Sequence, residues 1–439
     1  MTRIVLVGAG SVEFTRNLLG DILSSPALRS SEIVLHDIDP DRLATAERMA
    51  RWTVGALGAN PSISAHLDRR QALRGADVVV VTIQVGGAPA TELDFAVPAS
   101  FGLRYTIADT VGVGGVFRGL RTIPVILGIA RDMEELCPDA WLLNYTNPLA
   151  TVVRSVAERS PVKVVGLCHS VFWTIDTLAG YLGLPRDEIE ADSAGVNHHA
   201  FLVRLEHRGR DLYPDLRAFV EARRTPADDL VRADLFLRLG AYLSEASEQQ
   251  AEYSPWYIGK HDAGGDTVER FHVPIGEYLA RVAHNLDEYA DTKRRLDAGE
   301  PFEIERSGEY AATIAESLVT GGRTRIVGNV MNQGRLIPNL DAGACVEVPC
   351  FVDGDGVHPV AMGNLPLHLA NYLRGAVDMQ GLTVRAALDH DRDAIYHAVM
   401  TDPIVQSELT LDDAWRLTDA MIEAEAAWLP AWLGGAAAD

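Results

Sequence analysis

The chain has 439 residues, 47% of them hydrophobic, and a formal charge of -22. That is enough chain for two lobes, and the negative charge argues against nucleic acid or an anionic membrane surface as a partner, since either would repel it. No run approaches the eighteen or so uninterrupted apolar residues of a membrane span, and four irregularly spaced cysteines (Cys137, Cys168, Cys345, Cys350) point to free thiols in a reducing cytoplasm.

The opening TRIVLVGAG is too short and too glycine-bounded for a signal peptide and is expected to be the first strand. Arg3 to Val7 is followed by Gly8-Ala9-Gly10-Ser11 and then by Phe14, Leu18, Leu19, Ile22 and Leu23 at helical spacing. Strand, glycine turn and helix in that order bring backbone N–H groups and a helix N-terminus up to a pyrophosphate. Glu13 stands where a third glycine would complete the fingerprint, so the turn is a partial match. A second short strand, Ile33 to Leu35, ends at His36-Asp37, where a carboxylate can accept both ribose hydroxyls of NAD and repel the extra phosphate of NADP.

Ala76 to Ile83 and Trp141 to Tyr145 are continuous apolar runs of the kind buried in parallel sheets. The first breaks at Gln84-Val85-Gly86-Gly87, the second at Thr146-Asn147-Pro148, where Pro148 opens an apolar helix. Between them, Ile107 to Gly115 is too glycine-rich for regular structure; with Asp109 in it and Arg118 following, it reads either as a turn that folds over a substrate or as a solvated connection into a helix. A further run, Val162 to Leu167, ends at Cys168-His169, and about thirty residues on a second polar cluster, Asn197-His198-His199, interrupts Val196 to Phe201. Five strands each followed by a helix or glycine turn make a doubly wound parallel sheet. Gly8, Gln84, Asn144, Asn147, Cys168 and His169 then share the rim beyond the strand C-termini, where ligands bind. A thiol and imidazoles gathered at that rim favour a metal site over the alternative of a small buried hydrophobe and hydrogen-bonded histidines.

From about Gly195 the character changes. His198 to Glu206 alternates as an antiparallel strand, and Thr225-Pro226 caps a helical stretch expected to run to Glu252. Glu252 to Tyr257 is unusually aromatic, a composition that suits a sugar face or packing between helices. Asn329 to Pro349 and Phe351 to Pro359 pattern as strands, and Thr410 caps a C-terminal helix whose Leu411, Trp415, Met421, Ile422 and Trp428 form one apolar face, core or subunit interface.

Gly8-Ala9-Gly10-Ser11, Asn144-Tyr145-Thr146-Asn147-Pro148, Cys168-His169-Ser170-Val171 and Gly195-Val196-Asn197-His198, with Ala108 to Pro124, resemble glycoside hydrolase family 4 in order and spacing. The resemblance implies a Rossmann-like doubly wound parallel sheet over residues 1–195, binding NAD, followed by an α+β domain over 196–439 for metal, substrate and oligomerisation, as in lactate and malate dehydrogenases. It further implies a glycosidase working by transient NAD-dependent oxidation at C3 of the sugar, deprotonation at C2 and elimination of the C1 substituent, with Mn2+ or another divalent metal on the C2 and C3 oxygens. Residue by residue, Cys168 and His198 match the metal ligands, and Gly8, Gly10, Ser11, Asp37 and Asn144 fall at cofactor positions. Tyr253 matches the base, with Tyr257 as the alternative, and His169 the acid at the leaving group. Asn147 and His169 match sugar contacts, and Asp109 a catalytic partner there. The Cys-His-Ser-Val tetrad resembles the branch acting on unphosphorylated α-galactosides, with α-glucosidases and α-uronidases as neighbours. A homodimer or homotetramer is the family expectation. The rivals are a 2-hydroxy-acid dehydrogenase, which needs a His–Asp pair and an arginine clamp, and a non-catalytic NAD or sugar sensor, which has no use for a metal thiolate.

Overall fold

The computed structural model describes residues 1–259, 266–304 and 306–436. Six strands, β1 (Arg3–Val7), β2 (Glu32–His36), β3 (Ser62–His66), β4 (Val78–Val81), β5 (Trp141–Asn144) and β6 (Lys163–Gly166), lie parallel in the order β3-β2-β1-β4-β5-β6. This is the doubly wound order, whose crevice opens beyond the strand C-termini where the winding reverses. Alternate residues enter two cores: Ile4, Leu6, Ile33, Leu35, Val78 and Val80 face one layer of helices, and Val5, Val7, Val34, Val79 and Val81 face the other. Burial on both sides is why these strands are apolar without alternation. β3, which the sequence did not suggest, is the outer strand; its residues are half-buried or exposed, so Ser62-Ile63-Ser64-Ala65-His66 has no apolar run to betray it.

The sheet does not stop at β6. β7 (Ile189–Val196), β8 (His199–His207), β9 (Arg210–Asp211), β10 (Thr324–Met331), β11 (Cys345–Asp353) and β12 (Gly356–Pro359) extend it antiparallel, in the order β6-β10-β11-β7-β8-β9, with β12 on β11. The join is one row of paired residues, Gly166 to Asn329, Asn329 to Glu347 and Glu347 to Gly195. A Cβ on Gly166 would stand 2.3 Å from Leu149 Cδ2, and one on Gly195 2.5 Å from Ala200 Cα, so both ends of the row require glycine.

Two expectations change in the structure. Gly112 does not end a loop but begins a 25-residue helix, Gly112–Leu136, whose glycines let its first turn lie against the preceding segment: a Cβ on Gly114 would be 2.4 Å from the Ala108 carbonyl oxygen. That helix is long and apolar enough to span a bilayer, yet 78% of its most apolar window is covered by the rest of the chain. The single helix expected up to Glu252 is instead two, Leu230–Leu239 and Ser247–Ala251, because Gly240 at φ +82° terminates the first in the left-handed region. The intervening Tyr242 to Ser244 pairs with β8, through Leu202 N–H on the Tyr242 carbonyl at 2.8 Å and Ser244 N–H on the Ala200 carbonyl at 2.7 Å. The C-terminal helix Leu411–Ala424 starts at its Thr410 cap as expected; it buries Met421 and Ile422 and leaves Leu411 and Trp415 on the surface.

The C-terminal segment is tied to the long helix by a fully buried guanidinium. Arg121 donates to Asp94 at 2.6 and 3.0 Å and to Glu425 at 2.8 Å, with a further bond from Nε to the Val85 carbonyl. Arg121→Ala would leave two carboxylates buried without a counter-charge, and is expected to lower unfolding free energy by about 3–5 kcal/mol in a denaturant titration; an unchanged midpoint would show that the triad carries no stability.

Candidate active site

Cys168 follows β6 and sits immediately before the helix Ser170–Leu182, with the Ser170 N–H directed at its sulfur at 3.5 Å. His198 occupies the tight turn between β7 and β8. Because β10 and β11 hold β6 and β7 in fixed register, the sulfur of one and the imidazole of the other meet, and the carboxylate of Glu245 joins them: the ligand atoms of Cys168, His198 and Glu245 all lie within 4.8 Å of one another. His198 Nε2 is 3.4 Å from Glu245 Oε2. Sulfur, nitrogen and oxygen donors this close together are a set that could hold a cation. Ala108 (φ +52°), His198 (φ +62°) and Glu245 (φ +68°) are all non-glycine residues in the left-handed region, a strain of about 1–3 kcal/mol each that the surroundings must hold in place.

The tautomer of His198 follows from its neighbours. Thr110 gives its hydroxyl proton to Asp109 Oδ1 at 2.7 Å, so its oxygen can only accept from His198 Nδ1 at 3.1 Å. Nδ1 therefore carries hydrogen and Nε2 is left to face Cys168 and Glu245. Burial opposes a charge on this imidazole, but Cys168, Glu245 and Asp109 outweigh it and raise its pKa to about 10. Surroundings that negative hold a proton on Nε2, or a cation in its place. The other Asp109 oxygen accepts from Asn147 Nδ2 at 2.8 Å and lies 4.0 Å from Arg118, whose guanidinium bonds the Tyr278 hydroxyl at 3.2 Å. Asn147 and Asp109, expected at the sugar, are thus held together, and Arg118 backs them from the first turns of the long helix. Glu252 fixes the segment beneath: one of its oxygens accepts the N–H groups of Thr106, Ile107 and Ala108 at 2.8, 2.8 and 3.0 Å.

His169 is half exposed, its Nδ1 3.1 Å from Glu309 Oε1. Desolvation disfavours its charged form, yet the Glu309 hydrogen bond and the Cys168 sulfur carry its pKa up to about 9, so it is cationic at neutral pH. Tyr253 stacks flat on His199, ring centroids 3.9 Å apart at 3°, with its hydroxyl 3.5 Å from the Asn197 carbonyl. Burial, then the fields of Glu252, Asp109, Glu245 and Glu347, push its pKa well above 10. Tyr257, the alternative base, turns the other way and donates to Asp234 at 2.9 Å. Asn197 Oδ1 and Glu347 Oε1 are buried beside the cluster without a hydrogen-bond partner among the described residues.

On the same rim, Gly8 sits at φ +90°, and a Cβ there would be 2.6 Å from the Thr82 carbonyl oxygen. The Gly10 N–H donates to Asp37 Oδ2 at 2.7 Å, and a Cβ on Gly10 would occupy that same space. Ser11 precedes the helix Val12–Ser24 without capping it, its side chain exposed at the crevice mouth. Asn144 is fully buried, and both ends of its amide bond the Thr146 backbone, at 3.0 and 3.3 Å. It shapes the turn that presents Asn147 rather than facing the crevice. Of the residues the sequence did not single out, Glu245, Glu252 and Thr110 matter most; the break at Gly240 was the one signal for Glu245.

Comparison with known proteins gives two family models: "Family 4 glycosyl hydrolase" over residues 3–184 and its C-terminal domain over 193–405. An α-galactosidase of Bacillus subtilis is 40% identical over 432 residues, covering 98% of this chain and 99% of that protein. A putative glucosidase of B. subtilis superposes with a TM-score of 0.86 at 25% identity, covering 96% of this chain and 99% of that one. A 6-phospho-α-glucosidase from gut microorganisms, solved with NAD and Mn2+, has the same fold at a TM-score of 0.84 and 20% identity over 97% of this chain and 98% of that one.

Thr110→Val keeps the shape of the side chain but removes the oxygen that receives the His198 Nδ1 proton. Calorimetric titration of the variant with Mn2+ is expected to give an affinity about 10–100-fold below that of the unmodified protein, whereas equal affinities would mean that Nδ1 needs no partner to orient the ring.

Proposed function

Since the chain belongs to the family 4 glycosyl hydrolases, we propose that it is an α-galactosidase acting on unphosphorylated α-galactosides with NAD and a divalent metal, Mn2+ by preference. The observation that carries this reading is the meeting of Cys168 and His198 on the rim that also bears the Gly8–Gly10 turn. The residues fit both groups. Gly8 and Gly10 bring bare backbone to the crevice, and Asp37, already drawn under the turn by the Gly10 N–H, suits ribose hydroxyls; Cys168 and His198 supply soft metal donors, and the unpartnered polar atoms of Asn197 and Glu347 lie beside them.

Bound NAD supplies a reversible hydride acceptor and a bound divalent cation supplies Lewis acidity. The side chains do the rest. Asn147 and Asp109, bonded to each other, hold the sugar hydroxyls. Tyr253 takes the C2 proton; with burial first and four carboxylates after it raising its pKa, it acts as a base only where a nearby positive charge offsets them. His169, cationic against Glu309, gives its proton to the oxygen departing from C1. Residues 1–195 hold the dinucleotide and 196–439 contribute His198, Tyr253 and the surfaces for self-association, the exposed Leu411 and Trp415 among them, to a homodimer or homotetramer. The four cysteines are unpaired, and a catalytic thiol of this kind suits a reducing cytoplasm.

The galactoside preference rests on the Cys168-His169-Ser170-Val171 tetrad and on full-length similarity to an α-galactosidase. An assay on p-nitrophenyl α-galactoside, α-glucoside, α-glucuronide and their 6-phosphorylated forms, omitting NAD+, Mn2+ and reductant in turn, is expected to show cleavage of the α-galactoside that needs all three, without net NADH at 340 nm. Preference for another glycone would move the assignment within the family; cleavage undiminished without NAD+ and Mn2+ would refute the cofactor requirement.

A further inference from the structure

We infer that Glu245 is a third protein ligand of the cation, beside Cys168 and His198, and that its carboxylate is what fits the site to a hard ion. This rests on the metal reading above and adds a residue to it. The difficulty it addresses is chemical: a thiolate and an imidazole alone select softer ions such as Zn2+ over Mn2+, whereas carboxylate oxygen suits Mn2+.

The placement of Glu245 is built by the surrounding backbone. The Ala246 N–H takes up Oε1 at 3.1 Å, which leaves Oε2 as the oxygen facing His198 Nε2 at 3.4 Å, a separation two donors of one ion can share. The side chain is 20% exposed, open enough to exchange an ion and closed enough to hold its direction. The backbone around it is bonded to the strand that carries His198: Ser244 N–H donates to Ala200, and fully buried Gln250 donates its amide to both the His198 and Ser244 carbonyls. Gln250 Oε1 in turn accepts from His199 Nδ1 at 2.9 Å, which fixes the amide's orientation. Two residues at positive φ, His198 and Glu245, are thereby clamped to each other through one side chain. A surface glutamate has no use for such a clamp; a ligand does.

The test is ion binding without substrate. Mn2+ affinity is measured by calorimetry on the NAD-loaded protein, and Co2+ binding by the thiolate-to-cobalt absorption band, for the unmodified protein, Glu245→Gln, Glu245→Asp and Cys168→Ser. Glu245→Gln is expected to weaken Mn2+ on the order of tenfold or more while keeping the Co2+–thiolate band and NAD affinity. Glu245→Asp, which keeps the charge and tolerates the left-handed backbone, should lose less. Mn2+ binding by Glu245→Gln within twofold of the unmodified protein overturns the inference. If Cys168→Ser loses both ions in that case, the metal site itself stands and only the third ligand fails; if Cys168→Ser binds Mn2+ normally, the underlying reading falls with it.

Discussion

Four residues in one line, Gly166, Asn329, Glu347 and Gly195, pair strand to strand across the junction between the parallel and antiparallel halves of the sheet. Two residues beyond Gly166 is Cys168, and three beyond Gly195 is His198. The separation of thiol and imidazole is therefore set largely by strand spacing and register, quantities that vary little in a sheet, with only the two residues after β6 and the tight turn that holds His198 at φ +62° added to them. The row is also the weak point of the core. Asn329 Nδ2 and Asn197 Nδ2 reach Glu347 Oε2 at 3.3 and 3.4 Å, while burial pushes the Glu347 carboxyl up to about 7. A polar seam in a sheet interior is costly unless it secures something, and what it secures is the geometry of the rim above it.

Around that rim negative groups outnumber positive ones. Asp109, Glu245, Glu252 and Glu347 all act on Tyr253, and Glu252 is itself raised to about 7 by burial despite three backbone donors. Folding gathers these carboxylates where hydrophobic residues would have been more stable. The arrangement is intelligible as a receptacle for positive charge, with His198 and His169 both holding protons more tightly than a free imidazole for the same reason. Positive φ at Ala108, His198 and Glu245 adds local strain at the same place, the usual sign that position has been favoured over stability.

Much of this was legible in the chain itself. Parallel strands buried on both faces announce themselves as unbroken apolar runs, so β1, β4, β5 and β6 could be placed within a residue or two, and with them the rim positions of Gly8, Asn147 and Cys168. The half-exposed β3 left no such trace. The glycines before Phe117 imply close approach but not its form, and here they serve a helix start packed on a carbonyl instead of a loop. Glu245 was hidden because Ala241, Leu243, Ala246 and the Gln249-Gln250-Ala251 run around it favour helix; only Gly240 and the pairing of Tyr242–Ser244 with a distant strand, a tertiary contact, divide that helix. Asn144 shows the converse: its motif is readable, but both its amide groups face the Thr146 backbone, which no local pattern reports.

If the glycosidic bond is broken by removing the proton from C2, and not by protonating an otherwise intact sugar, that carbon must exchange its hydrogen with solvent. Hydrolysis of an α-galactoside by the NAD- and Mn2+-loaded protein in D2O tests it directly, with the released sugar examined by proton NMR. Deuterium at C2 of the galactose is the predicted result, since a proton taken from C2 by a side-chain base exchanges with solvent before the carbon is reprotonated. Galactose that keeps its original hydrogen at C2, formed at the same rate, would rule out cleavage through C2 deprotonation.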